Sequence, residues 1–153
     1  CLAPTTLSDV VERSLSLISS HIPPAVEVIK DIPQGLSLNM DGQRMQQVFL
    51  NLIENAVHAM ENASGTIKIS ARVSPESDSV LISVEDTGKG ISEPNIGRVF
   101  DPFFTTKEVG MGTGLGLSIV YGIVEKHGGS ISVESLDGRG TRFNVHLPAE
   151  TLC

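Results

Sequence analysis

Residues 110–117 read Gly110-Met111-Gly112-Thr113-Gly114-Leu115-Gly116-Leu117, with a glycine at every second position. A backbone without Cβ atoms can adopt positive φ angles and lie close to a ligand. Apolar residues then recur at helical spacing, at Leu115, Ile119, Val120, Ile123 and Val124. The stretch predicts a loop leading into a helix N-terminus, where free amides and the helix dipole favour an anion. A phosphate-binding loop and a merely flexible helix start both fit it, because glycine patterns alone are not specific.

Length and composition predict one domain without a membrane segment. The 153 residues, 40% of them hydrophobic, suffice for one core and are too few for two ordinary domains. No apolar run is long enough to span a bilayer, and no signal-peptide pattern opens the sequence, so we expect a cytoplasmic domain without direct membrane contact. The two cysteines stand at positions 1 and 153, and neither a zinc site nor a disulfide framework is indicated.

The charge balance limits the possible partners. A net charge of −7 argues against a nucleic-acid surface. It also means that a polyphosphate would have to be held locally, by a metal ion, a helix dipole or a well-placed cation.

The clearest helix is predicted from Gly42 to Glu61, with Asp41 as its N-cap. Beside its apolar face runs a polar stripe at spacings of four, four and three, made of Gln47, Asn51, Asn55 and His58. Asparagine is a poor helix former, because its side chain competes for backbone hydrogen bonds. Two asparagines one turn apart either aim their carbonyls at one ligand or metal, or simply face solvent.

A predicted hairpin follows this helix. Apolar and polar residues alternate over 67–73 and again over 80–84, and the second strand ends in Glu85-Asp86-Thr87-Gly88-Lys89-Gly90-Ile91. Asp86 at this strand end could accept a hydrogen bond from an exocyclic amine, while the glycines let a ring approach. An ordinary Asp-x-Gly turn is the alternative.

No periodicity appears from Gly97 to Thr113, and long loops inside compact domains are usually functional or mobile. The segment holds Phe100, Phe103 and Phe104, which either anchor a lid to the core or only fill the core locally. Lys107 is the cation nearest the glycine stretch and is a candidate phosphate contact.

The remaining segments complete the predicted fold. They are a first helix with Leu7, Val10, Val11, Leu15 and Ile18 on one face, weak strands at 26–29 and 36–38, a Gly128-Gly129 C-cap, and two final strands around 131–133 and 142–147. The order of elements predicts an α+β fold, a two-layer α/β sandwich with a mixed, mostly antiparallel sheet and helices packed on one face. Because strands and helices do not alternate, a dinucleotide-binding interpretation of the glycines is disfavoured.

Four motifs in order resemble the ATP site of sensor histidine kinases, members of the gyrase–chaperone–kinase–MutL ATPase superfamily. They are Asn51-Leu52-Ile53-Glu54-Asn55-Ala56, Asp86-Thr87-Gly88-Lys89-Gly90-Ile91, Phe100-Asp101-Pro102-Phe103-Phe104 and Gly110–Leu117. The closing segment Gly140-Thr141-Arg142-Phe143, followed by Leu147-Pro148, is similar to the end of that domain. The resemblance extends from about Leu7 to Pro148. It implies a Bergerat-type fold for a single catalytic domain over residues 1–153, with an ATP lid at about 97–113.

The resemblance also implies the roles of individual residues. Asn55 would be the Mg²⁺ ligand, Asn51 would help to hold metal and phosphates, and Asp86 would read adenine. Asn51, Asn55 and Lys107 would serve catalysis. The remaining residues of the implied ATP site are Gly88, Gly90, Ile91, Phe100, Gly112, Thr113, Gly114, Leu115, Gly116 and Thr141.

The resemblance implies phosphoryl transfer rather than hydrolysis. Hydrolytic members of the superfamily carry a glutamate base where this chain has Asn51, and an amide cannot take a proton at neutral pH. Glu54 is a candidate accessory base, which helical geometry turns away from the asparagines. Many histidine kinases have a lysine or arginine near the position of His58, so His58 is interpreted as a surface residue.

The expected partners lie outside this sequence. A phosphoacceptor histidine precedes Glu or Asp in the family, and none of His21, His58, His127 and His146 does so. We therefore expect the dimerisation and phosphoacceptor domain of the same kinase, homodimeric at full length, to receive the phosphoryl group, and a response regulator to receive it next. The sequence leaves open whether the parent kinase is membrane-anchored. The alternatives are a related protein-serine kinase and an ATP-binding interaction module without transfer activity.

Overall fold

The computed structural model describes residues 2–74, 76, 79–102, 104, 116–136 and 140–148, with Glu61 described by its backbone alone. Its helices are α1 (Leu7–Ile18), α2 (Gly42–Ala59), the single turn α3 (Glu93–Ile96) and α4 (Gly116–Lys126). Short 3₁₀ turns follow α1 at Ser19–His21 and α2 at Glu61–Ala63. None of the helices in the described residues is both long enough and apolar enough to cross a membrane.

The strands form two sheets. They are β1 (Ala3–Thr6), β2 (Ala25–Asp31), β3 (Ser37–Met40), β4 (Ser64–Ser74), β5 (Ser79–Asp86), β6 (Ser130–Ser135) and β7 (Thr141–Pro148). Five of them form the main sheet in the order β2-β4-β5-β7-β6, in which only the β2–β4 pair is parallel. The β1 and β3 strands form a separate antiparallel pair. The predicted mixed, mostly antiparallel sheet is therefore confirmed.

The core lies between one face of the main sheet and the helices. The α2 helix is the centre of the helical layer, because it contacts α1, α4 and β5. It buries Met45, Val48, Phe49, Leu52, Ile53 and Ala56. The strands of the sheet alternate as antiparallel strands with one buried face do, and β5 turns Val80, Ile82 and Val84 inwards. The predicted helices on one face are thus observed.

The first forty residues differ most from the prediction. The weak strand predicted at 26–29 lies within β2, and the one predicted at 36–38 overlaps β3, but the two strands belong to different sheets. The β1 strand was not predicted. Thr6 precedes α1 without a side-chain capping bond, and the Leu7 N–H donates instead to the Leu36 carbonyl at 3.0 Å. Tertiary pairing, which local patterns do not encode, decides this region.

Two glycines with open space around them should respond to alanine in opposite ways. A Cβ would meet nothing within 4 Å at Gly122 in α4 or at Gly35, where φ is +78°. We expect Gly122→Ala to stabilise the domain by about 0.5–1 kcal/mol, because alanine favours a helix interior. Gly35→Ala should destabilise it by roughly 1–2 kcal/mol through left-handed strain. Urea unfolding of both variants measures this, and a shift of the same sign in both would contradict it.

Candidate functional site

The polar stripe of α2 meets the start of α4. Asn51 Nδ2 donates a 3.1 Å hydrogen bond to the Gly116 carbonyl, and its Oδ1 accepts a 2.8 Å hydrogen bond from Gln47 Nε2. Gly116 is the first residue of α4 and the last glycine of the glycine stretch. Both ends of the Asn51 amide are thereby oriented, while an amide oxygen retains a second lone pair for another donor or a cation.

Asn55 lies one turn further along α2 and is half-buried. Within the part of the chain that the structure describes, its side chain makes no hydrogen bond to another residue. The neighbouring polar residues on α2, Glu54 and His58, are both exposed. The two asparagines therefore differ: Asn51 is held by protein partners, whereas the Asn55 carbonyl is available to a ligand.

Asp86 is a carboxylate on the apolar face of the sheet. It continues the inward-facing alternation of β5 and is only 2% exposed. It lies opposite Ile67 of β4 and Thr141 of β7, because β5 is the central strand. Burying a carboxylate is costly unless hydrogen bonds or a function compensate, so its burial distinguishes Asp86 from a solvent-exposed turn residue.

The protein offsets part of that cost with backbone donors. Burial raises the pKa of Asp86 above its ordinary value of 3.8, while N–H groups of Gly88 and Thr141 act in the opposite direction. The Gly88 N–H donates to Oδ1 at 2.8 Å. A buried, oriented carboxylate with a perturbed pKa is typical of a binding or catalytic site.

Glycines allow the backbone to close around Asp86. A Cβ on Gly140, where φ is +127°, would lie 1.8 Å from the Asp86 carbonyl oxygen, and a Cβ on Gly88 would lie 2.4 Å from the Ala59 carbonyl oxygen. The Lys89 N–H donates to that same Ala59 carbonyl at 3.0 Å. The loop after β5 therefore rests directly on the C-terminus of α2.

The remaining described candidates surround this loop. Gly90 has a φ of +75°, which favours glycine, and the Ile91 N–H donates to Ser135 Oγ at 3.3 Å. Phe100 is half-buried, with its ring centroid 5.8 Å from that of Tyr121 and 6.1 Å from that of Phe143. Phe100 therefore packs between α4 and β7, close to the start of the predicted lid.

One helix joins the two halves of the site. Asn51 contacts the first residue of α4, and Ala59, eight residues later, contacts the loop that follows Asp86. Eight helical residues span about 12 Å, comparable to the reach of a nucleotide from its base to its terminal phosphate. Of the predicted residues, Lys107, Gly112, Thr113, Gly114 and Leu115 lie outside the described residues.

Sequence reasoning missed several supporting residues. Gln47 was visible in the polar stripe, but its role in holding Asn51 was not predicted. Gly140 stood in the closing motif, although only the structure reveals its approach to Asp86. Tyr121 and Ser135 had no signal of their own, because their contacts cross from one element to another.

A family model matches residues 40–151 of this chain, and its description is histidine kinase-, DNA gyrase B-, and HSP90-like ATPase. The sensor histidine kinase ZraS of Salmonella typhimurium (strain LT2) is 40% identical over 96% of this chain. Sporulation kinase E of Bacillus subtilis (strain 168) is 40% identical over 84% of it. The chain spans only 31% and 16% of the lengths of these two proteins.

Solved structures show the same similarity. The nucleotide-free catalytic domain of histidine kinase ThkA is 32% identical, with a TM-score of 0.85 that covers 97% of this chain and 96% of that one. ThkA in complex with the response regulator protein TrrA matches with a TM-score of 0.80 and 29% identity, over 97% of this chain and 42% of that one. The chain therefore belongs to the histidine kinase-, DNA gyrase B- and HSP90-like ATPase family, and within it to the catalytic domains of histidine kinases.

Proposed function

We propose that residues 1–153 form one catalytic domain that binds Mg·ATP and transfers the γ-phosphoryl group to a histidine on the dimerisation and phosphoacceptor domain of its parent kinase. From there a response regulator would receive it, as the complex of ThkA with TrrA suggests for a related kinase. We place the domain in the cytoplasm, on the expectation drawn from its composition.

The observation that carries this proposal is the double contact of α2. The same helix contacts the start of α4 through Asn51 and the loop after Asp86 through Ala59. A nucleotide with its base at Asp86 would therefore extend its phosphates along the asparagines toward the N-terminus of α4. Helix N-termini attract anions through free amides and the dipole.

Asp86 is suited to reading the base. Its Oδ1 already accepts from the Gly88 N–H, which fixes the carboxyl group in one orientation. An ionised carboxylate has further lone pairs and no proton of its own, so it can accept from the exocyclic amine of adenine. Guanine presents an acceptor where adenine has this amine, so the same carboxylate disfavours it.

The residues of the site fit a magnesium ion. Mg²⁺ prefers oxygen ligands, retains several waters and is usually bound through one or two protein groups together with substrate phosphates. Asn55 offers a carbonyl oxygen that no other described residue occupies, and Asn51 stands one turn away. Bound there, the ion would neutralise phosphate charge, which an acidic domain of net charge −7 cannot do by itself.

The site favours transfer to a nucleophile on a partner over attack by water. Asn51 occupies the place of a general base, yet its amide cannot accept a proton at neutral pH and is engaged by Gln47 and Gly116. Phosphoryl transfer depends mainly on positioning and charge neutralisation. A histidine nucleophile presented by another domain needs no base of this kind.

The proposal predicts an acid-labile phosphoprotein. Incubation of this domain with γ-³²P-ATP, Mg²⁺ and the parent kinase's phosphoacceptor domain should label the acceptor domain, because phosphohistidine forms there. The label should survive alkali and disappear in acid. Replacing the acceptor histidine by glutamine supplies the control, and should prevent labelling.

Two other outcomes would separate the alternatives. An acid-stable label on the partner would identify a protein-serine kinase of the same superfamily. Tight ATP binding without any label would identify an interaction module, and it would contradict the transfer step.

A further inference from the structure

His127 forms a buried connection between α4 and α2. It is 7% exposed and follows the last residue of α4. Its Nδ1 lies 2.8 Å from the Ile123 carbonyl oxygen, and its Nε2 lies 3.1 Å from the backbone nitrogen of Asp41. Asp41 is the N-cap of α2, and 86 positions separate it from His127 in sequence.

The two partners determine the tautomer of this imidazole. The backbone N–H of Asp41 can only donate, so Nε2 must be an acceptor. The Ile123 carbonyl can only accept, so the hydrogen belongs on Nδ1. Both contacts are satisfied together only by the neutral ring with its hydrogen on Nδ1.

A second hydrogen bond joins the same pair of helices. Asp41 and His127 join the N-terminus of α2 to the end of α4, while Asn51 and Gly116 join the middle of α2 to the start of α4. The helices are therefore antiparallel. The two hydrogen bonds are ten residues apart on α2 and eleven apart on α4, or about 15 Å and about 16.5 Å along the helix axes. The two spans therefore match closely.

The helices pack against each other through the core, where α4 buries Val120, Ile123 and Val124. Beside this contact lies an open groove of ≈ 580 Å³. Its lining includes both partners of His127, Asp41 and Ile123, together with Gln43, Arg44, Gln47, Ile119, Gly122 and Lys126. At this groove the His127 hydrogen bonds add to the packing of the two helices.

We infer that His127 is a positioning residue of the nucleotide site. As the neutral tautomer with its hydrogen on Nδ1, His127 holds Gly116 in place relative to Asn51 and Asn55. The inference rests on the proposed function, because Gly116 matters only if phosphates bind at the start of α4. His127 itself touches no substrate. It acts through the N-cap of α2, whose own carboxylate accepts from the Arg44 N–H at 3.2 Å.

The matched pair His127→Gln and His127→Asn tests the inference. The side chains carry the same amide and differ by one methylene. Glutamine can place its oxygen where Nε2 accepts from Asp41, whereas asparagine reaches only toward Ile123. We expect His127→Gln to bind Mg·ATP within about twofold of wild type, and His127→Asn about fivefold to tenfold more weakly, as for the loss of one hydrogen bond to the N-cap of α2.

Two measurements keep the outcomes distinct. Isothermal titration with Mg·ATP gives the affinities, and equal affinities of the two variants would overturn the inference. Long-range ¹H–¹⁵N spectra of the free domain report the tautomer, and a hydrogen on Nε2 at neutral pH would overturn it even if a variant fails to fold. A wild-type domain that binds no ATP would instead contradict the proposed function.

Discussion

Asp86→Asn should reduce ATP binding at least about 100-fold, because it removes the charged acceptor for the adenine amine and places a donor near that amine. The carboxylate is buried at the end of β5 and oriented by the Gly88 N–H, so the substitution acts directly on the acceptor. Isothermal titration with ATP, with and without Mg²⁺, measures the loss. Glu85→Gln is the matched control, because Glu85 is the adjacent carboxylate on the opposite face of the same strand and pairs with Arg142 at 3.4 Å.

The same variant should keep its stability in the absence of nucleotide. Burial raises the pKa of Asp86, so the folded state favours the protonated acid. The protonated Asp86 side chain makes its full contribution to the free energy of unfolding below the ordinary pKa near 4. This contribution is lost as the pH rises through the raised pKa of the folded state. Asparagine cannot ionise and avoids this loss.

The pH dependence of unfolding checks the sign of this effect. Relative to wild type, the unfolding free energy of Asp86→Asn should increase as the pH rises from about 4 toward neutrality. At pH 7 the two proteins should agree within about 1 kcal/mol, or the variant should be more stable. A variant that binds ATP normally would contradict the role of Asp86 in base recognition, whatever its stability.

Asn55→Ala should lower the rate of phosphoryl transfer at least about 100-fold, since it removes a half-buried amide oxygen that no described residue occupies. Asn55→Asp should also abolish transfer, because it adds a negative charge beside the phosphates. ATP binding in the absence of Mg²⁺ should change much less than the transfer rate. The label incorporated from γ-³²P-ATP at saturating nucleotide measures the effect.

Two substitutions on the same helix serve as comparisons for Asn55. His58→Gln changes an exposed polar residue about one turn away and should leave transfer near the wild-type rate. Glu54→Gln tests the accessory base directly, and a loss as large as that of Asn55→Ala would assign Glu54 a catalytic role. Asn55→Ala with a normal transfer rate would contradict the metal-ligand assignment.

Sequence periodicity predicted the parts of this fold that depend on local pattern. The apolar face of α2 and the inward alternation of β5 are both visible in the chain, and the structure confirms them. The same alternation accounts for the burial of Asp86, which continues the series Val80, Ile82 and Val84, although that burial was not predicted.

Features that depend on pairing between distant segments were not predictable in this way. The division of β2 and β3 between two sheets follows from partners at 64–70 and at 3–6, which no local pattern identifies. The hydrogen bond between Asp41 and His127 and the close approach of Gly140 to Asp86 also join segments that are far apart in sequence. The four motifs identified the family, which the family model confirms, because a family resemblance reflects a whole fold rather than a local pattern. The roles of Lys107 and of residues 112–115 remain predictions.

The parallel pairing of β2 with β4 has a consequence for synthesis on the ribosome. The edge strand at 25–31 emerges before its partner at 64–70, which follows only after α2 has left the exit tunnel. The central strand β5 must wait longer for β7, which begins at Thr141. Contacts between such distant segments form slowly and leave apolar strands exposed in the meantime. The segment from β2 to β5 should therefore depend on chaperones during synthesis until β7 completes the sheet.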